Sequence, residues 1–219
     1  MSAHDFGTAW WSPFVIVVDG GHVLSDRDLL AALGLVSSRS TARKGVHPAT
    51  GEVVIAEGRS WKLISSDWAY TMWHCPGVRP GLWKLASDYR ILSYSVGDID
   101  DSYTLHLFEK GELVRELIVD DRLDGRGQVI VHEEGSALPG ERGEIFPSGQ
   151  ILAGCESVAT AFCPDLVNPT RTKTWTVQNP LFDRVRVPTS PDEARRIRDE
   201  QRKSQQTTGP VVRTWRQFR

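Results

Sequence analysis

An α+β fold, with a predominantly antiparallel sheet, a few packed helices and a basic C-terminal arm, is predicted by three features of the sequence. Residues from Ile91 to Asp121 alternate apolar and polar side chains with period two, a segment after Gln150 is apolar along one helical face, and the residues after Asp183 reverse the charge of those before them.

Taken in order, Phe14 to Val18 reads as a strand and Asp19-Gly20-Gly21 as a tight turn, where glycine supplies a positive φ. Ser25 and Asp28 resemble a capping box; Leu29, Leu30 and Leu33 give the helix its apolar side, and Gly34 stands where it stops. Ser37 to Gly51, rich in Ser, Thr, Arg and Gly and without periodicity, is expected to be a surface loop. Val53–Ala56 and Trp61–Ile64 are β-prone runs at hairpin spacing. Ser66-Asp67 is expected to cap a short helix through Trp68 and Met72, and Leu82 to Tyr89, after Pro80, to form another.

The Ile91–Asp121 stretch is expected to be a three-stranded meander. Leu92, Tyr94 and Val96 alternate with serines, Tyr103, Leu105 and Leu107 with Thr104 and His106, and Leu113 to Val119 follow the turn at Lys110-Gly111. Gln128–His132 adds a strand before a Gly- and Pro-rich loop. Ile151, Leu152, Cys155, Val158, Ala159 and Phe162 then line one helical face, ended by Pro164. Thr172 to Val177 is the last strand of the body, residues 1–183. Residues 184–219 are the arm: Ser190 and Glu193 open a basic helix, Gly209-Pro210 breaks it, and VVRTWRQFR closes the chain.

Of the 219 residues, 40% are hydrophobic and 25% charged, which fits an ordinary globular chain and excludes collagen-like and coiled-coil classes. Phe14–Val18, the longest apolar run near the start, is far shorter than the roughly 20 residues of a membrane helix, and the first residues lack a leader's pattern, so a cytoplasmic protein with no membrane partner is expected. Three cysteines, Cys75, Cys155 and Cys163, form no C-x-x-C pair and no disulfide framework. The net charge of −2 hides a division: the arm holds ten Arg or Lys against four Asp or Glu, +6, and the body 16 against 24, −8.

Asp98, Asp100 and Asp101 are the densest acidic group. Asp98, Asp100, Ser102 and Glu109 match positions one, three, five and twelve of a calcium loop, but Tyr103 stands where the sharp turn needs glycine. Aspartate is also common in turns between strands for local backbone reasons, and that reading is favoured here. Trp73-His74-Cys75 pairs a thiol with an imidazole but lacks an orienting third group. His106, facing away from Leu105 and Leu107, reads as a cross-strand polar contact. No phosphate-binding glycine loop, dinucleotide fingerprint or nucleophile elbow occurs, and no cofactor is expected. Eight tryptophans are the unusual feature: Trp61 and Trp68 read as core, while for Trp10 and Trp11 core and interface weigh equally. Arg213, Trp215, Arg216 and Phe218 in the arm interleave cations with aromatics, a pattern that serves docking on an acidic protein surface, of its own chain or a neighbour, or alternatively nucleic acid, or that belongs to a merely solvated tail.

The run SVGDIDDSYTLHLFEKGELVRELIVDD, with EEGSALPGE from Glu133 to Glu141, resembles a pattern in uncharacterised bacterial proteins, some of which look like immunity proteins of toxin systems. It is carried by Gly97, Asp98, Tyr103, Gly111, Arg115, Gly135, Leu138, Pro139 and Glu141 and covers about a quarter of the chain. The resemblance implies a protein that binds and occludes a partner through an acidic, aromatic-rich surface. The leading expectation is therefore a non-catalytic protein-binding module contacting another protein, or a second copy of itself, through Trp10, Trp11, Asp98, Asp100, Asp101 and the arm residues. The alternatives are a metal-dependent enzyme using the Asp98/Asp100/Asp101 turn and an assembly protein docking through its arm.

Overall fold

The computed structural model describes residues 14–41, 52–66, 78–97, 101–121, 127–141, 145–167 and 169–178. The chain divides into two compact units, Met1–Asp183 and Arg184–Arg219, and the described residues belong to the first. They contain nine strands: β1 (Phe14–Asp19), β2 (Val36–Thr41), β3 (Glu52–Glu57), β4 (Trp61–Ser66), β5 (Arg90–Val96), β6 (Tyr103–Glu109), β7 (Glu112–Asp121), β8 (Gln128–Glu134) and β9 (Arg171–Gln178). Every paired neighbour is antiparallel, and the sheet order is β2-β9-β3-β4-β1-β5-β6-β7-β8. Three α-helices among the described residues accompany it: α1 (Asp26–Ala32), α2 (Val78–Leu85) and α3 (Ile151–Phe162). No helix among the described residues is long and apolar enough to cross a membrane.

The core lies on both sides of the sheet. On one face α3 sets Ile151, Cys155, Val158 and Ala159 against Val15, Val17, Leu63, Leu92, Tyr94 and Leu105. On the other, Leu29, Leu30 and Leu33 of α1 and Leu82 of α2 cover Ile16, Val18, Ile55, Ile64 and Ile91. Strand β1, central and covered twice, is apolar without interruption from Phe14 to Val18, as burial on both faces requires.

Local chemistry accounts for the joints. Ser25 caps α1, its Oγ accepting the Asp28 N–H at 3.1 Å, and Gly34 follows at φ 71°. Gly81 lets α2 approach α1 closely: a β-carbon there would lie 2.2 Å from the Ala32 carbonyl oxygen. The β5–β6–β7 meander and the β3–β4 hairpin form where the alternation and turn residues place them.

Three expectations are corrected. Val36–Thr41 is an edge strand rather than the start of a loop, paired antiparallel with β9; the order comes from backbone pairing with a segment far along the chain, which no local periodicity reveals. Helix α2 starts at Val78 and ends at Leu85, earlier than Leu82–Tyr89; Pro80 is tolerated because first-turn N–H groups have no intrahelical partner. Leu152 is exposed, so the buried stripe of α3 is narrower than its apolar sequence. The helix expected through Trp68 and Met72 lies outside the described residues; Ser66 ends β4.

Candidate functional site

Of the residues expected to make contacts, Trp10, Trp11, Asp98, Asp100, Arg213, Trp215, Arg216 and Phe218 lie outside the described residues, as do His74 and Cys75. Asp101 is described: it is half-buried, and its backbone carbonyl accepts the Gln128 side-chain N–H at 2.8 Å. The Gly97 N–H donates to the Ser102 carbonyl at 2.8 Å, closing the β5–β6 connection. The carboxylate of Glu109 is held by Arg90 at 2.8 Å and Tyr103–Glu109 is a strand, so Asp98–Glu109 is not a twelve-residue calcium loop. Burial raises the thiols of both described cysteines, Cys155 strongly and Cys163 to about 11, which leaves them neutral packing groups.

Of the residues that carry the resemblance, Gly135 and Glu141 are drawn together by a third, the buried Arg115. Arg115 donates to Glu141 at 2.6 and 3.2 Å, to Glu133 at 2.9 Å, and to the carbonyls of Glu134 and Gly135 at 3.2 and 3.1 Å. Burial opposes its charge, but the two carboxylates outweigh that and raise its pKa further. Glu141 also accepts the Leu138 N–H at 2.9 Å, and Gly135, at φ 80°, backs onto the Val114 carbonyl. The pattern Gly135, Leu138, Pro139, Glu141 is thus a clip that fastens the segment after β8 to β7. A second ionic group joins α1 to the other half of the sheet: Lys62 Nζ lies 2.6 Å from Asp26 and 3.1 Å from Glu57, and Arg171 bonds both carboxylates. All members of this quartet are mutually paired, which marks it as a structural joint.

The outer strands hold a different arrangement. His106 Nε2 lies 3.2 Å from Glu116 Oε1 across the β6–β7 ladder, the cross-strand contact expected of it. The other carboxylate oxygen, Oε2, lies 3.1 Å from His132 Nε2 on β8, which is 3.8 Å from Glu134 Oε2. Glu116 and His106 are buried, His132 is half-buried and Glu134 exposed, so the row runs from interior to solvent. Its inner end is walled by Phe108, with Trp83 of α2 edge-on to it at 5.0 Å. Glu116, His132 and Glu134 each offer one ligand atom, all within 4.8 Å of one another, and are the one such group among the described residues.

A β-bulge builds the row. Ile130 pairs with Val119, whereas His132 pairs with Ile118, so Val131 is the extra residue. Without it His132 and Glu134 would share a face with Ile130; the bulge turns both to the face of Glu116. Sequence spacing places His132 and Glu134 two residues apart, but neither the bulge nor the register that brings Glu116 opposite Glu134 has a local signature. Beside the row, β8 is a sheet edge among the described residues, with Val129, Ile130 and Val131 exposed by 39%, 42% and 60%. Comparison with family models, curated proteins and solved structures finds no match.

Proposed function

We propose that the chain is a protein-binding module whose docking surface is the edge strand β8, and that its partner presents an extended basic segment. The observation that supports this is the exposed Val129-Ile130-Val131 run on an edge strand bordered by the carboxylates of Asp120, Asp121, Glu133 and Glu134. An edge strand carries unpaired backbone donors and acceptors that can add a strand from a partner. Three exposed β-branched residues supply apolar contact, and the surrounding acids, with a body charge of −8, favour a basic partner and steer its approach. The resemblance to immunity proteins agrees with this mode, since such proteins work by covering a partner's surface.

The test compares the full-length chain with Val131→Lys as bait in the native host's lysate, with nuclease treatment, at low and high salt. A basic protein recovered by the parent, released by salt and lost with Val131→Lys supports the reading. A partner retained by Val131→Lys rules out β8 as the contact. Sedimentation of both chains covers the remaining occupant: a parent dimer that Val131→Lys dissolves would make the partner a second copy.

A further inference from the structure

We infer that Glu116, His132 and Glu134 form a binding site for a first-row divalent cation, with His106 as the positioning residue behind Glu116. Register carries the argument. Glu116 and Glu134 are direct cross-strand partners, and two carboxylates opposite each other on one face repel. A cation between them relieves that repulsion. The bulge at Val131 turns the His132 imidazole into that gap, where its Nε2 lies 3.1 Å from one carboxylate and 3.8 Å from the other. Ligand atoms about 2.0 to 2.2 Å from a shared ion sit roughly 3 to 4 Å from one another; His132 stands 3.1 and 3.8 Å from the two carboxylates, and all three ligand atoms lie within 4.8 Å. One imidazole and two carboxylates suit zinc and its first-row neighbours better than calcium or magnesium, which prefer all-oxygen shells.

The burial gradient completes the site. Glu116 is an anchored ligand, its side chain 4% exposed and its second oxygen held by His106 at 3.2 Å, the outer hydrogen bond that fixes a ligating carboxylate. Glu134, 72% exposed, and His132, 40% exposed, give the ion an entry from solvent. The protein supplies three ligands, and water completes the coordination shell.

The test is titration of the metal-free full-length chain with Zn²⁺ against a chromogenic chelator, and with Co²⁺ followed by visible absorption. One ion per chain is expected, with Co²⁺ bands of a low-coordinate site. His132→Ala should weaken Zn²⁺ binding at least about 100-fold, and Glu134→Gln, an exposed change that leaves the fold intact, about 10-fold or more. His106→Gln should retain the ion with lower affinity and altered Co²⁺ bands. Glu133→Gln, on the opposite face of β8, should change neither. Absence of one-to-one binding overturns the proposal, and so does binding that survives both His132→Ala and Glu134→Gln, because the ion then sits elsewhere.

Discussion

Replacing Arg115 by Met would leave the buried carboxylate of Glu141 without its counter-charge and free the carbonyls of Glu134 and Gly135. Breaking a buried pair by removing one partner costs about 3 to 5 kcal/mol, so Arg115→Met should lower stability by that order in chemical denaturation. Arg115→Lys should recover only part of the loss, since one ammonium cannot span five acceptor atoms. The Lys62 quartet makes a pH prediction. Burial alone would raise the Glu57 carboxyl, but Lys62 and Arg171 outweigh it and hold it below its ordinary 4.5. The folded state therefore favours ionised Glu57. The stability this contributes is complete above pH 4.5 and is lost as pH falls through the lowered folded value. The difference between parent and Glu57→Gln should be constant near neutrality and shrink below that pH; a difference independent of pH would contradict the assignment. Glu156 has the opposite sign: burial raises it, so Glu156→Gln should raise the melting temperature at pH 7 and lose that advantage in acid.

Elements are joined at glycines whose roles differ, and alanine substitution separates them. Gly127 and Gly135 both have positive φ, but a β-carbon at Gly127 meets nothing, while at Gly135 it would lie 1.9 Å from the Val114 carbonyl oxygen. Gly127→Ala should cost only the left-handed backbone penalty, roughly 1 to 2 kcal/mol. Gly135→Ala should cost clearly more, because backbone must move and the Arg115 clip opens; equal melting temperatures for the two variants would refute the clip. At this scale the sequence is most legible. The Ser25 cap, the Gly34 stop and the turn at Gly111 are set by interactions within a few residues and stand where residue type predicts, and the α3 stripe follows its apolar pattern except at exposed Leu152. Strand β2 was hidden because its partner β9 is remote in the chain.

At the scale of the whole molecule, coverage of the sheet is uneven. The central strands are enclosed by α1 and α2 on one side and α3 on the other, whereas β8 leaves three apolar side chains in solvent. Val131→Lys removes apolar contact from an exposed bulge position, so its effect on stability should stay within about 0.5 kcal/mol in denaturant titrations while partner capture is lost. Loss of both stability and capture would instead assign Val131 a structural role.

The sequence by itself determined the α+β class, the meander, the hairpins, the caps of α1 and the apolar stripe of α3, because these follow from periodicity and from hydrogen bonds closed within a few residues. It placed His106 as a cross-strand contact for the same reason. Tertiary structure alone decided the nine-strand order, the division of the core between two faces and the conversion of the Arg115–Glu141 pattern from a motif into a clip. It alone also assembled Glu116, His132 and Glu134. That row depends on register between β7 and β8 and on one bulged residue, and a one-residue shift sends a side chain to the opposite face, so no count along the chain can fix which carboxylate meets which imidazole.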